Sequence, residues 1–221
     1  MTAEVRLTAV EHESRLMRVV RKPFQILRAD LGVYITLNVI TYGVFLAGFV
    51  TALIFPELRA AQVASLEADG TADLVVSLTS NVWLFALVIL GINTLTVGAL
   101  SILLPSMILP FAGVAIFGYR AFDIGLTLAP SSEAAWVALI PHSLTILVEF
   151  QAYVLLLLGA YLLGRSWLLP RTIGAHNRRQ GYVCGLKQIG WLSLPALALF
   201  VFGALYEAFS LVYVVPPWST D

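Results

Sequence analysis

Several apolar runs in this chain are long enough to cross a lipid bilayer. A helix of about 20 apolar residues spans the hydrocarbon layer of about 30 Å, and the first run, from Leu31 to Phe55, exceeds that length. A water-soluble core would interrupt such runs every few residues with polar surface. The sequence therefore predicts an all-α, polytopic transmembrane helical bundle with five spans, at residues 31–55, 81–104, 106–128, 142–163 and 189–215.

Composition excludes several classes of function. The chain has 221 residues, of which 59% are hydrophobic and 12% charged, with a formal net charge of zero. No basic domain is present to bind nucleic acid, and the lone Cys184 excludes an internal disulfide. The segments between spans are short and carry no nucleotide motif or catalytic triad. We therefore predict a multi-pass protein of the cell membrane that is not an enzyme and needs no cofactor.

Two prolines are predicted to shape the middle of the chain. Pro105 alone separates the second and third runs, which predicts a tight hairpin between antiparallel neighbours. After Ser132 and Glu133, which form a helix-start signal, the apolar stretch 134–140 ends at Pro141. That stretch is too short to span, so we expect a separate interfacial or re-entrant helix whose axis breaks at Pro141.

Basic residues define the orientation. All but Arg59 and Arg120 precede the first span or lie between the fourth and fifth, at Arg6, Arg15, Arg18, Arg21, Lys22 and Arg28 and at Arg165, Arg171, Arg178, Arg179 and Lys187. With five spans both groups lie on one side, whereas the loop after the first span is acidic. The positive-inside rule then places the amino terminus in the cytoplasm and the carboxyl terminus outside.

The chain divides into a cytoplasmic amphipathic segment, residues 1–30, and a single membrane domain, residues 31–221. Residues 3–28 interleave apolar and basic side chains at helical spacing. Two interpretations stay open for this amphipathic helix. It lies on the inner surface with its basic groups at anionic headgroups, which we favour, or it docks a cytoplasmic partner such as an ATPase.

Four polar residues within the spans form a candidate site. Asn93 lies in the middle of the second span, His142 and Glu149 share one face of the fourth, and Glu207 lies in the outer half of the fifth. An isolated carboxylate at that depth is forced to be neutral or paired. We therefore expect these side chains to face the bundle interior or one shared cavity.

Three interpretations of this cluster stay open. It holds helices together by hydrogen bonds, which we favour, it forms a proton relay or substrate pathway, or it binds a metal for intramembrane hydrolysis. Because the spacing of His142 and Glu149 matches no zinc motif, we predict no metal. Near the outer end of the third span, Arg120 and Asp123 are spaced to form an interface ion pair.

From Asn81 onward the chain contains a set of motifs: Asn93, the glycine-spaced run 111–118, Pro141-His142, the segment 149–152, Gly159, Pro170-Arg171, Glu207-Ala208-Phe209 and Pro216. In these motifs it resembles the stage II sporulation protein M family of integral membrane proteins. The resemblance implies five spans with a cytoplasmic amino terminus, and it implies a scaffold for wall-degrading proteins or an association with ABC-type ATPases in bacteriocin export and immunity.

We therefore predict a non-enzymatic membrane scaffold or assembly component. Its expected partners are the lipid bilayer and either an export ATPase or cell-wall remodelling proteins, and self-association stays open. The alternative is a membrane subunit of an ABC-type export or immunity system for a peptide or lipid.

Overall fold

The computed structural model describes residues 21–68, 70, 74, 77–78 and 80–213. This part of the chain is helical and contains no β-strand. Four of its helical stretches are long and apolar enough to cross a membrane: Leu31–Ile54, Val82–Ile108, Ala135–Leu168 and Arg178–Tyr213. The prediction of an all-α protein with several membrane-length helices is confirmed.

The elements follow one another with short connections. Residues 21–29 are helical and precede α1. The elements are α1 (Leu31–Ile54), α2 (Pro56–Ala68), α3 (Val82–Gly91), a π-helix (Ile92–Leu103), α4 (Leu104–Ile108), α5 (Ala112–Leu128), α6 (Glu133–Leu168), a 3₁₀ turn (Pro170–Ile173) and α7 (Arg178–Tyr213). The stretch formed by α3, the π-helix and α4 is called the second span below.

Helix α6 is the centre of the bundle. From Ala152 to Leu158 every side chain is buried, as expected for a helix that is apolar on all faces and surrounded by others. It packs antiparallel against α7, and glycines permit the close approach: a Cβ on Gly185 would lie 2.6 Å from the Leu163 Cα, and one on Gly181 would lie 2.0 Å from the Ser166 carbonyl oxygen. Each of these helices has 36 residues.

The hairpin after the second span forms at Pro110, so the predicted turn at Pro105 is wrong. Pro105 occupies one of the first two positions of α4, directly after the wider turns of the π-helix, where its missing N–H costs little. The chain turns where Leu109 is extended before Pro110 and Phe111 has a left-handed backbone with φ of 67°. The predicted antiparallel contact is confirmed, because a Cβ on Gly113 would lie 2.0 Å from the Ile102 carbonyl oxygen.

The expected short helix before Pro141 is also wrong. One continuous helix runs from Glu133 to Leu168 with Pro141 inside it. Proline removes a single backbone hydrogen bond, and surrounding helices commonly compensate for it in membrane proteins. The Ser143 hydroxyl also donates to the Ile140 carbonyl across the same turn, at 2.7 Å. The predicted helix start is confirmed, since the Ser132 hydroxyl accepts from the Ala135 amide at 3.2 Å.

Helix α1 packs on α5 through glycines of both helices. A Cβ on Gly48 would lie 2.1 Å from the Phe122 carbonyl oxygen, and one on Gly125 would lie 2.1 Å from that of Phe45. One turn further along, Ala52 packs with Leu126. Phe45 and Phe117 both contact the Phe150 ring, and further along both helices Ala52 packs with Leu126, so α1 and α5 run parallel.

Two helix boundaries differ from those predicted, one after the first span and one at the start of the last span. Helix α2 occupies the acidic segment after the first span, where we expected a loop, and it begins at Pro56, a favoured first residue of a helix. Helix α7 begins at Arg178, well before the apolar run, so the basic segment is part of the same helix. The predicted amphipathic helix lies largely outside the described residues, as does the end of the last span beyond Tyr213.

Candidate functional site

A cavity with a polar lining lies where α1 and α5 end and α6 begins. It has a volume of about 390 Å³ and is bordered by α2, the second span, α5, α6 and α7. Its polar residues are Gln62, Asn93, Arg120, Asp123, Thr127, His142, Thr145, Glu149, Tyr153 and Glu207. All four members of the predicted cluster line this one space, which we call the polar cavity.

A chain of side-chain hydrogen bonds connects α6 with the second span at the base of the polar cavity. The Tyr153 hydroxyl donates to the Asn93 Oδ1 at 2.8 Å, and the Asn93 Nδ2 donates to the Glu149 Oε1 at 2.5 Å. Asn93 and Tyr153 are 8% and 3% exposed, so these bonds form away from solvent. The geometry fixes the amide of Asn93 and directs its donor toward Glu149.

Glu207 completes the base of the cavity from α7. Its side chain lines the same space as that of Glu149. Gly203, one turn earlier on α7, lies against the Glu149 side chain. The two glutamates therefore border one cavity from α6 and α7, and they are called the carboxyl pair below.

Backbone features position this carboxyl pair. A Cβ on Gly203 would lie 3.0 Å from the Glu149 Cγ, so the glycine leaves room for the side chain between α6 and α7. Asn93 is the second residue of the π-helix Ile92–Leu103. π-Helical turns are frequent at functional sites, because they rotate side chains away from the regular helical register.

One stripe of α6 carries much of the site. His142, Thr145, Glu149 and Tyr153 follow one another at spacings of three and four residues, which places them on one face. Sequence reasoning identified His142 and Glu149 but missed Thr145 and Tyr153. The helical spacing was the signal that could have added both.

Thr145 has an unusual environment in this stripe. The residue is 2% exposed, and its hydroxyl oxygen has no hydrogen-bond partner among the residues that the structure describes. Threonine in a helix normally bonds the carbonyl one turn earlier, as Thr127 does with Asp123 at 2.9 Å. A buried hydroxyl without a partner costs about 1–3 kcal/mol.

Arg120 and Asp123 line the polar cavity but are not paired with each other. Within the described residues, the ion pair with a nitrogen–oxygen distance under 4 Å joins Arg165 and Asp30, at 2.6 Å. The predicted interface pair is therefore not formed. Arg120 is exposed and Asp123 is half-buried, and both extend toward the shared space.

The residues around the cavity do not form a metal centre. In the described ranges, no group of three or more His, Cys, Asp and Glu side chains has an arrangement that could hold a metal ion. A stable zinc site needs three or four such ligands around one point. The geometry thus gives no support to the metal interpretation of the cluster.

A second polar network joins α1 to another face of α6. The Gln151 Nε2 donates to the Asn38 Oδ1 at 2.8 Å and to the Tyr42 hydroxyl at 3.1 Å, and the Tyr34 hydroxyl donates to the Gln151 Oε1. Its polar atoms are partnered with one another. This network is helix–helix adhesion of the kind expected in a bundle.

No protein-family model, curated protein or solved structure matches the chain. The function proposed below therefore rests on the polar cavity.

Proposed function

We propose that the protein crosses the cell membrane five times, with a cytoplasmic amino terminus and an outer carboxyl terminus. The contacts between helices support spans that alternate in direction across the membrane. Tyr34 bonds Gln151 and Phe49 contacts Trp136, so α1 and α6 are antiparallel. Asn93 bonds Glu149 and Gly98 lies against Leu156, so the second span runs parallel to α6. Helix α7 is antiparallel to α6, and α5 is parallel to α1.

The fifth crossing in this proposal is α5. It has 17 residues, or about 25 Å at about 1.5 Å per residue, which falls slightly short of the hydrocarbon thickness of about 30 Å. A small mismatch of this kind is accommodated by local thinning of the bilayer or by packing against longer helices. Helix α5 lies against α1 along its length, which favours an inserted position.

Topology is tested by labelling single cysteines in intact cells. With Cys184 replaced by serine, a cysteine at Gly70 should react with an impermeant thiol reagent from outside. A cysteine at Asn177 should react only after permeabilisation. Labelling of both positions from one side in intact cells would contradict the five-span arrangement.

We further propose that the protein is the membrane subunit of an export or immunity system that binds its substrate in the polar cavity. One observation carries this proposal: the carboxyl pair and two further ionisable side chains, Arg120 and Asp123, line one space of about 390 Å³. Helix adhesion accounts for the bonds among Tyr153, Asn93 and Glu149. It does not require a cavity.

A scaffold role is the second candidate, and the α6–α7 hairpin favours it. Each helix is about 54 Å long, at about 1.5 Å for each of its 36 residues, against about 30 Å of hydrocarbon. With the proposed topology, the excess length projects on the cytoplasmic side. There it presents Arg171, Arg178, Arg179 and Lys187, a basic surface suited to docking another protein.

Co-purification from native membranes distinguishes the two roles. The protein is extracted with a mild detergent and its stable partners are identified. An export ATPase bound in stoichiometric amounts supports the subunit of an export system. Recovery of wall-remodelling proteins, without any ATPase, would contradict that role and support the scaffold.

A further inference from the structure

A second cavity, which we call the apolar groove, lies on another face of α6 than the polar cavity. It has a volume of about 500 Å³ and is bordered by the helical segment 21–29, α1, α6 and α7. Its apolar lining includes Phe24, Leu27, Leu155, Pro195, Ala198 and Leu199. Phe24 is 60% exposed and Ala198 is exposed as well, so the groove is open on one side.

Two polar side chains also line the apolar groove, but they are bonded to each other. The Tyr34 hydroxyl donates to the Gln151 Oε1, and the Gln151 Nε2 donates to Asn38 and Tyr42. Since these groups are already partnered, they do not call for a polar ligand. The groove therefore suits an apolar chain, and its volume lies within the usual range of small-molecule sites, about 300–1,000 Å³.

The apolar groove lies within the depth of one leaflet from the basic end of the bundle. At about 1.5 Å per residue, Leu155 lies about 15 Å along α6 from Arg165, and Pro195 lies about 12 Å along α7 from Lys187. One leaflet contributes about half of a hydrocarbon layer of about 30 Å. The groove thus extends from the segment 21–29 to about the middle of the membrane, the depth that acyl chains of one leaflet occupy.

Two arginines flank Phe24, which lines the groove. Arg21 precedes Phe24 by three residues and Arg28 follows it by four, so both lie beside it on the same helical face. Both arginines are exposed, and neither forms an ion pair within the part of the chain that the structure describes. The acid nearest in sequence, Asp30, is bonded to Arg165 at 2.6 Å. One end of the groove is therefore positively charged.

An anionic phospholipid combines the features that this site would recognise. Its acyl chains are stabilised by burial against apolar side chains. Its phosphate oxygens accept paired hydrogen bonds from an arginine guanidinium group, and its net negative charge is attracted to basic residues at the membrane surface. A neutral apolar ligand would gain nothing from the arginines, and a soluble anion would gain nothing from the groove.

We propose that the apolar groove binds one acyl chain of an anionic phospholipid, whose phosphate group is bound by Arg21 and Arg28. The lipid then joins the segment 21–29 to α6 and α7. This inference goes beyond the proposed export role, because the site is separate from the polar cavity. It uses only the proposed orientation, which assigns the lipid to the cytoplasmic leaflet.

Native mass spectrometry of the purified full chain in detergent micelles tests this proposal. The probes are dioleoyl phosphatidylglycerol and dioleoyl phosphatidylcholine, which have the same acyl chains and differ in net charge. We expect one phosphatidylglycerol to be retained with at least about fivefold higher affinity than phosphatidylcholine. Equal affinity for the two lipids would overturn the proposal.

Substitution of the two arginines tests the headgroup contact. The double variant Arg21→Gln/Arg28→Gln should lower the affinity for phosphatidylglycerol at least about tenfold, because two charges beside the phosphate are lost. The control Arg171→Gln/Arg179→Gln removes the same net charge from other exposed positions and should leave the affinity unchanged. Equal losses in the two double variants would show attraction to overall charge and would overturn the site.

Filling the groove tests the contact with the acyl chain. Ala198→Trp places an indole ring where the chain would lie and should lower the affinity for phosphatidylglycerol at least about tenfold. The control Leu197→Trp, at a residue that is 50% exposed but does not line the groove, should leave it unchanged. Binding that survives Ala198→Trp would place the lipid on the basic surface alone and overturn the groove.

Chain length decides if Ala198→Trp does not fold. Dihexanoyl phosphatidylglycerol keeps the headgroup and shortens the acyl chains, so it should bind at least about tenfold more weakly than the dioleoyl lipid. Equal affinity of the two chain lengths would overturn the proposal.

These measurements are independent of the tests of the proposed function. Lipid binding in detergent depends neither on orientation nor on a partner protein, so its failure would leave the five-span topology and the export role standing. Specific phosphatidylglycerol binding together with reversed labelling of the cysteines at Gly70 and Asn177 would instead overturn the assignment to the cytoplasmic leaflet.

Discussion

Replacing Gly48 by alanine should separate α1 from α5. The new Cβ would lie 2.1 Å from the Phe122 carbonyl oxygen, about 1.4 Å inside a contact distance of about 3.5 Å. The obstacle is backbone, which no rotamer change can move, so one helix must shift against the other. Overpacking of this kind costs about 1–3 kcal/mol of unfolding free energy.

Gly43→Ala is the matched control for this prediction. Gly43 lies on the same helix, and nothing comes within 4 Å of a Cβ built there. Both variants gain the same helical preference of alanine over glycine, about 0.5–1 kcal/mol, so their difference isolates the contact. Reversible unfolding in mixed micelles should find Gly48→Ala less stable than Gly43→Ala by about 1–3 kcal/mol. Equal stabilities would refute the α1–α5 packing.

Two further predictions concern polar contacts of α6, one with Asp30 directly before α1 and one with α1 itself, and both are measured by the same unfolding assay. Asp30→Asn should lower the unfolding free energy by about 1–3 kcal/mol, because it leaves the half-buried Arg165 without its carboxylate. Adding Arg165→Gln to that variant should then cost little, and additive losses would show that the pair is not coupled. Gln151→Leu should cost about 1–2 kcal/mol, since it removes the bonds to Asn38 and Tyr42. An unchanged stability would mean that this network contributes nothing.

Hydrophobic length predicted the helical membrane architecture from sequence, because an uninterrupted apolar run has few alternatives to a buried or lipid-facing helix. Depth and helical spacing also predicted that Asn93, His142, Glu149 and Glu207 could meet. Those arguments depend only on the rise per residue and on the cost of polar groups in hydrocarbon.

The positions of breaks could not be predicted from proline alone. Pro105 and Pro141 both lie within helical stretches, whereas the turn forms at Pro110. In a bundle, the local cost of a proline is offset by neighbouring packing and side-chain hydrogen bonds. At Pro110, the left-handed backbone of Phe111 and the bond from the Gly113 amide to the Ser106 hydroxyl complete the turn.

The sequence likewise does not show which glycines mediate helix contacts, because this depends on how the helices pack. Gly43 and Gly118 belong to spacings typical of helix interfaces, yet nothing lies within 4 Å of a Cβ at either position. The close contacts are made by Gly48 and Gly125, whose faces are selected by the packing of α1 on α5. The π-helical register that turns Asn93 toward Glu149 leaves no comparable mark in residue spacing.

The proposed topology places the polar cavity, which lies at the start of α6, on the outer side of the membrane, and thiol labelling tests this placement most directly. In a Cys184→Ser background, Thr127→Cys places a small thiol in the cavity lining, and Leu158→Cys places one in the fully buried part of α6. In intact cells, a membrane-impermeant maleimide should label Thr127→Cys and leave Leu158→Cys unlabelled. Labelling of Thr127→Cys only after permeabilisation, or at no more than the rate of Leu158→Cys, would contradict the account.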